Sequence, residues 1–375
     1  MIESRPLRVA MIMGKMIGGG VESVVMNYYR FIDRDKIQFD FIIDSDSTQV
    51  PRTEIEKLGG RIYEIPPYQN IFKYLKSLDD IFKNNNYRVV HSHINTLSVF
   101  PLSVAKKNKI PVRIAHSHST ASRGEYKKNI LKNVLRPFSK VAPTHYMAPT
   151  IHASKWLFGE KNSKDKTFIL KNAIDIQKFS FNRNTRNELR NKYGYDDNDF
   201  IIGNVGRFVW QKNQEFLLYV FKEVLNEIPS AKLVLVGDGP LKKNLLNLAV
   251  ELNIKDYVYF IDNSTNVEDI YQILDYFVFP SNYEGLGIVA IEAQIMGLPT
   301  LCSDRVPREV EVTNLCMFLS IDIKPHEWAK CIIDTSQKFK NNSRVSKKSD
   351  IQFNNYDIEC EANKLADIYI ELGEG

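Results

Sequence analysis

Tyr276-Phe-Val-Phe-Pro-Ser-Asn-Tyr-Glu-Gly-Leu-Gly-Ile-Val-Ala-Ile-Glu-Ala-Gln-Ile-Met-Gly-Leu-Pro299 joins an apolar run to a polar, glycine-bearing turn and then to a helix-forming segment. Tyr276 to Phe279 predicts a buried strand, Ile288 to Met296 a helix, and Gly297 followed by Pro299 its stop signal. The turn therefore lies at a helix start. There the amides of Gly285, Leu286, Gly287 and Ile288 have no partner inside the helix, and the helix dipole adds partial positive charge. A phosphate is the natural guest of such a turn. Glu284 stands just before the helix. Glu292 follows eight residues on, among Ile288, Val289, Ala290 and Ile291, where a carboxylate needs a partner. The alternative for the two is a solvated loop glutamate and a salt-bridged helix glutamate.

Strand, glycine turn and helix recur along the chain. Arg8–Met13, Phe39–Asp44, Arg61–Ile65, Arg88–His93, Val112–His118 and Tyr146–Thr150 read as strands, with helix-like stretches such as Val21–Ile32 and Ile71–Asn84 between them. Phe200–Gly206, Lys232–Gly237, Tyr257–Asp262, Tyr276–Phe279 and Pro299–Ser303 repeat the plan. Strands alternating with helices imply an α/β protein whose parallel sheets are covered on both faces. At 375 residues the chain exceeds one ordinary core, so two doubly wound, Rossmann-like domains in tandem are expected. The division falls at residues 1–172 and 173–354, with a hinge near Asn172 to Lys178. Phe179–Asp199 reads as a connecting segment and Asn341–Asp350 as a second polar break. After it, Ile358, Ala362, Leu365, Ala366, Tyr369 and Leu372 mark one face of a helix.

Composition is that of an ordinary globular protein, with 43% hydrophobic and 25% charged residues. A formal charge of +5 is too mild to make nucleic acid the main partner, but suits an anionic small molecule or an anionic membrane face. The four cysteines, Cys302, Cys316, Cys331 and Cys360, form no Cys-x-x-Cys pair, so neither a zinc knuckle nor a disulfide framework is suggested. The start of the chain runs directly into its first strand, too short for a signal peptide or spanning helix, and a cytoplasmic location is expected.

Gly14-Lys-Met-Ile-Gly18-Gly19-Gly20 follows the first strand, where a dinucleotide fingerprint would stand. It fails that test, because Ser23 occupies the third glycine position, and a P-loop fails because Gly20-Val21 stands where Lys-Ser/Thr is required. Asp44, about 20 residues on, keeps a dehydrogenase as a rival. The glycines otherwise let another molecule approach the backbone, or simply make a tight turn. His91-Ser-His93 and His116-Ser-His118 end two strands, and alternation turns both histidines of each pair to one side. Neither pair has the carboxylate or cysteine support of a metal site nearby, so no metal is assigned, and at least two of the four are expected to be structural. Asp33-Arg-Asp35 and Asp44-Ser-Asp46 are strings common by chance. Gly206-Arg207, with Lys212-Asn213 beyond, ends the first strand of the second domain. Gly237 and Gly239 end the next, and Ile261 lies at the end of the third. Arg123 to Phe138 combines five cations with an apolar stripe, suited either to an anionic lipid surface or to ordinary packing on the sheet.

Glu284, seven residues and Glu292, with Gly-Leu-Gly after the first, resembles the signature of the retaining GT-B-fold glycosyltransferases of family four. Gly206-Arg207 followed by Lys212-Asn213 is similar to the same family's pattern. The resemblance implies two Rossmann-like domains facing across a cleft, with a C-terminal helix, 355–375, crossing back to the first. It implies that Glu284 and the amides of Gly285, Leu286, Gly287 and Ile288 hold the donor sugar and diphosphate, and that Glu292 accepts from the nucleotide ribose. Arg207 and Lys212 become the diphosphate clamp. Gly19, Gly20, Gly206 and Gly237 become glycines near the donor, and Ile261 a backbone reader of the base. A histidine at the end of the first domain's fifth strand, His116 or His118, lies by the donor sugar, with His91 and His93 on the acceptor side. Asp262 stands where the family often has glycine, and Ala173 replaces glycine in the hinge motif Asn172-Ala-Ile-Asp175.

The expectation is thus a glycosyltransferase moving a hexose or acetamido sugar from a nucleotide diphosphate, with a uridine nucleotide favoured, to a glycan or lipid-linked acceptor in surface polysaccharide synthesis. The nucleotide sugar is substrate; no cofactor and no nucleic acid are expected, and peripheral contact with an anionic membrane is a further expectation. Two other readings keep the same architecture: a sugar-nucleotide 2-epimerase and a non-catalytic sugar-nucleotide-binding subunit.

Overall fold

The structure, a computed structural model, describes residues 6–118, 134–262, 266–340, 344–353 and 355–374. It divides into two compact units, Met1–Ile174 with Asn355–Gly375, and Asp175–Asn354.

In the first unit, β1 (Leu7–Gly14), β2 (Ile37–Asp44), β3 (Arg61–Ile65), β4 (Val89–Ser92), β5 (Val112–His116), β6 (His145–Ala148) and β7 (Thr167–Ile169) form a parallel sheet of order β3-β2-β1-β4-β5-β6-β7. Its central strands are apolar on both faces because both faces are covered. Val9, Met11 and Met13 enter one core with Tyr29, Phe39 and Tyr369, while Ala10 and Ile12 enter the other with Tyr74, Leu78 and Leu102. The expected C-terminal helix is present as Ile358–Glu374. It belongs to this unit, burying Ile358, Ala362, Leu365, Ala366 and Tyr369 against the first core.

The second unit repeats the topology with β8 (Phe200–Val205), β9 (Ala231–Val236), β10 (Val258–Ile261), β11 (Tyr276–Phe279), β12 (Thr300–Ser303) and β13 (Cys316–Leu319) in the order β10-β9-β8-β11-β12-β13. In both sheets the strand order reverses beside the first strand, between β1 and β4 and between β8 and β11. Ligands of such sheets gather beyond the strands' carboxyl ends at that reversal. Among the described residues no helix is long and apolar enough to cross a membrane.

Several sequence expectations are corrected. β7 and β13 were not foreseen, and β5 ends at His116 rather than His118. Phe179–Asp199 is not a plain connection, since it contains the helix Arg183–Tyr193. Asn182 caps its start by accepting from the Thr185 amide, and Gly194 closes it in the left-handed region at φ 73°. Arg186 and Arg190 of that helix reach Asp275 at 2.5 and 3.3 Å. The second polar break is likewise anchored, because Arg344 is half-buried and donates to the carbonyls of Met296 at 2.7 Å and of Leu274 and Tyr271 at 2.8 Å. Most of the basic stretch from Arg123 lies outside the described residues.

Candidate active site

In the second unit the loops after β8 and β11 meet because these strands pair. The Asn282 amide donates to the Gln211 carbonyl at 2.7 Å, Asn282 Nδ2 to the Trp210 carbonyl at 2.8 Å, and Asn213 Nδ2 to the Pro280 carbonyl at 3.1 Å. Asn213 holds φ 55°, a conformation that asparagine tolerates better than most side chains. The lacing brings Lys212 Nζ to 2.7 Å from Glu284 Oε1, with their side chains only 18% and 6% exposed. Gln211 Nε2 donates to Glu284 Oε2 at 3.2 Å. The Lys212 stem crosses the open face of Gly206, 3.3 Å from where a Cβ would sit, and its ammonium lies 4.9 Å from the Phe279 ring centre. Arg207 is exposed, and its side chain has no hydrogen-bond or ionic partner among the described residues. The amides of Gly285, Leu286, Gly287 and Ile288 also lack partners there. Two cations and a run of free amides beside one carboxylate make an anion site with a hydroxyl acceptor at its edge.

Gly237 and Gly239 have a packing reason of their own. A Cβ on Gly237 would stand 2.2 Å from the Gly206 carbonyl oxygen, and one on Gly239 2.5 Å from that of Phe208. The turns after β8 and β9 thus pack backbone on backbone, and the Gly237 amide donates to the Ile261 carbonyl at 2.9 Å. That carbonyl is engaged within the protein. Asp262 pairs with Lys242 at 2.6 Å.

The helix Ile288–Ile295 carries Glu292, whose Oε2 accepts from the Tyr271 hydroxyl at 2.9 Å. Burial pushes the Glu292 carboxyl up to about 7, opposed by the Tyr271 hydrogen bond and by Lys178. Tyr271 is therefore the partner that a carboxylate among Ile288, Val289, Ala290 and Ile291 required, and no sequence signal had marked it. Gln211 and Asn282 were missed likewise, and Asn213, quoted with Lys212, was given no role. Only Asn213 had a visible cue, as the residue between a cation and a helix start.

In the first unit the glycine loop is closed by Glu22, whose carboxylate accepts from the amides of Gly19 and, at 2.9 Å, Ile17. A Cβ on Gly20 would meet nothing within 4 Å, so the loop is open there. β4 pairs with β5, which gathers the four strand-end histidines into a ladder. His91 lies tilted over His93 at 4.1 Å, and His116 stacks on His118 at 4.0 Å between ring centres. Across the ladder His91 Nε2 lies 3.0 Å from His116 Nδ1, and His93 Nδ1 2.8 Å from His118 Nε2. The Tyr369 hydroxyl lies 2.6 Å from His91 Nδ1. His91, His93 and His116 each offer a nitrogen within 4.8 Å of the others, a candidate metal set. Their facing nitrogens are already joined by hydrogen bonds, however. His93 Nε2 and His116 Nε2 are buried without a hydrogen-bond partner, and the His91 and His116 rings lie within 10° of parallel. The arrangement is that of neutral imidazoles in a hydrogen-bonded ladder.

Burial, reinforced at His91, His93 and His116 by neighbouring imidazoles, holds these three well below the ordinary histidine range, and burial alone brings His118 down to about 3. The unfolded chain takes up protons near 6.5 that the folded ladder refuses. Below that pH the unfolded state binds more protons, and stability falls as pH falls from about 6.5 towards 3. The limiting slope is about 1.4 kcal/mol per pH unit for each ring. Calorimetry from pH 7.5 to 5 should show the first unit's unfolding temperature falling, with a shallower slope in His118→Gln. An unchanged slope would contradict the neutral ladder.

Residues 185–347 match the family Glycosyl transferases group 1, and residues 18–178 match Glycosyltransferase Family 4. EpsF of Bacillus subtilis, named as a glycosyltransferase, is 30% identical over 98% of this chain and 97% of its own length. The UDP-Gal:alpha-D-GlcNAc-diphosphoundecaprenol alpha-1,3-galactosyltransferase of Escherichia coli is 23% identical over 98% and 97%. Among solved structures, Anabaena HepE in complex with UDP-glucose superposes with a TM-score of 0.80 over 97% of this chain and 99% of its own, at 15% identity. Two Rossmann-like units with these loops define the GT-B architecture. The chain belongs to the group 1, family 4 glycosyltransferases.

Proposed function

We propose that the second unit binds a nucleoside-diphosphate sugar, most favourably a uridine nucleotide, and that the chain transfers the sugar with retention of anomeric configuration. The acceptor is a glycan or lipid-linked glycan of surface polysaccharide synthesis, and the group moved is a hexose or acetamidohexose. The observation that carries the reading is the Lys212–Glu284 pair, set beside the unpartnered Arg207 and the free amides of residues 285–288. The reading is supported by a relative that acts from UDP-Gal on a diphosphoundecaprenol-linked sugar and by a structural neighbour in complex with UDP-glucose.

Departure of a nucleoside diphosphate builds negative charge on its leaving oxygen, and preorganised cations and amides stabilise that charge without moving. Lys212 turns from Glu284 to the diphosphate when the donor enters, which frees Glu284 to accept from sugar hydroxyls. Arg207 and the turn amides complete the phosphate shell. In a front-face transfer the departing phosphate oxygen takes the proton of the acceptor hydroxyl, so no protein nucleophile is needed, and catalysis rests on positioning and charge. The histidine ladder and glycine loop of the first unit serve the acceptor and the transferred sugar. No metal is assigned a part. The transfer takes place in the cytoplasm, at the inner face of the membrane when the acceptor is lipid-linked.

The test is transfer from UDP-sugars to a polyprenyl-diphosphate-linked sugar, with the product anomer read by proton NMR. An α-linked product from an α-linked donor is expected. An inverted linkage would refute retention, and a sugar nucleotide altered without acceptor would point to the epimerase.

A further inference from the structure

Glu292 has two acceptor oxygens in unequal settings. Oε2 is held by the Tyr271 hydroxyl at 2.9 Å, while Oε1 has no hydrogen-bond partner among the described residues. Tyr271 is wholly buried, its ring set against Phe179 and Phe277 at 5.9 and 5.7 Å. Its backbone is pinned as well, because the Tyr271 carbonyl accepts from Arg344 Nη2 at 2.8 Å, and the next three carbonyls accept from Arg186 Nη1 at 2.8–2.9 Å. The hydroxyl therefore has a fixed origin, and of the two acceptors in its reach Glu292 Oε2 at 2.9 Å is nearer than the Val289 carbonyl at 3.2 Å.

We infer that Tyr271 is a positioning residue: it holds Glu292 as an oriented carboxylate whose remaining lone pairs receive the two ribose hydroxyls of the donor nucleotide. This rests on the proposed reading of the second unit as the donor site. A vicinal diol brings two hydrogens to donate and needs acceptors only, which a carboxylate supplies and a carboxylic acid does not. Burial works against the charged form and the tyrosine's hydrogen bond works for it. The other charged groups acting on Glu292 are Lys178 and Lys212, which favour its ionisation, and Glu268, which opposes it and is itself paired with Lys178 at 3.1 Å. Tyr271→Phe deletes one oxygen and leaves the ring packing and the arginine bonds in place.

The experiment is calorimetric titration of the full chain with UDP and with 2′-deoxy-UDP between pH 5.5 and 8.5. Wild type should bind UDP more tightly than the deoxy nucleotide by about 10–100-fold above the titration of Glu292, with the preference fading as pH falls through it. In Tyr271→Phe, UDP affinity should drop about tenfold, the preference should shrink, and the pH midpoint should move upward, because a group that favours the ionised form is gone. Glu292→Gln should bind without that midpoint, and adding Tyr271→Phe to it should cost little more. If wild type binds UDP and Tyr271→Phe keeps both the deoxy preference and the midpoint, Tyr271 is only a packing residue and the inference is overturned. If wild type binds neither UDP nor, titrated alongside it, GDP or ADP, the donor-site reading itself falls.

Discussion

Lys212→Ala is expected to lower the rate of sugar transfer by about 10²–10³-fold, the usual effect of deleting one charge-stabilising group aimed at a leaving oxygen. The loss has two sources. The ammonium that balances the departing diphosphate disappears, and Glu284, whose side chain is 6% exposed, is left with Gln211 alone at 3.2 Å. Arg207 remains to bind the diphosphate, so donor affinity should fall far less than the catalytic rate. Lys212→Arg should rescue poorly, because the stem threads over Gly206 and beside Phe279, and a planar fork does not replace a point charge there. Steady-state kinetics that separate kcat from the donor KM decide the matter. A variant with an unchanged kcat would remove Lys212 from the leaving-group shell.

Arg344→Met should destabilise the second unit by about 3–5 kcal/mol, a typical cost of breaking a buried charged network. All three guanidinium nitrogens of Arg344 donate to backbone carbonyls, and its plane lies 4.1 Å over Phe181. Arg186 still serves Gln272 and Leu274 in the variant, but the Tyr271 and Met296 carbonyls lose their donor. Burial, with Arg186 close by, opposes the charge on Arg344, and Asp275 favours it. A unit of this size should lose about 10 °C in unfolding temperature. Arg344→Lys should lose nearly as much, since one ammonium cannot span these carbonyls. Calorimetry showing a loss below about 2 °C would mean that the network contributes little.

The same network explains what the sequence concealed. The β-strands that matter most are parallel and buried on both faces, so they appear as unbroken apolar runs. The turns that follow several of them carry glycine and open a helix, which is why the anion-binding turn at Glu284 was legible from local pattern, while Arg207 and Lys212 stood out only through the family resemblance. β7 and β13 are three- and four-residue outer strands, too brief for a pattern. The helix Arg183–Tyr193 lacks an apolar stripe, because it is fastened by arginines to carbonyls 83 to 88 residues away. Tyr271 meets Glu292 across 21 residues, and Tyr369 meets His91 across 278. Such partners share no local spacing, so only the folded chain reveals them. The histidines are an intermediate case: alternation put each pair on one side, while the pairing of β4 with β5 made four rings into one ladder.

The central claim is that the loops after β8 and β11 hold a nucleoside-diphosphate sugar. Thermal denaturation in the presence of UDP-, GDP- and ADP-sugars, on wild type and on Arg207→Ala, tests it most directly, since a ligand bound by the folded state alone raises the unfolding temperature with its concentration. One nucleotide class, the uridine one, should stabilise wild type and lose that effect in Arg207→Ala. No stabilisation of wild type by any of the three, or an equal response in the variant, would contradict the account.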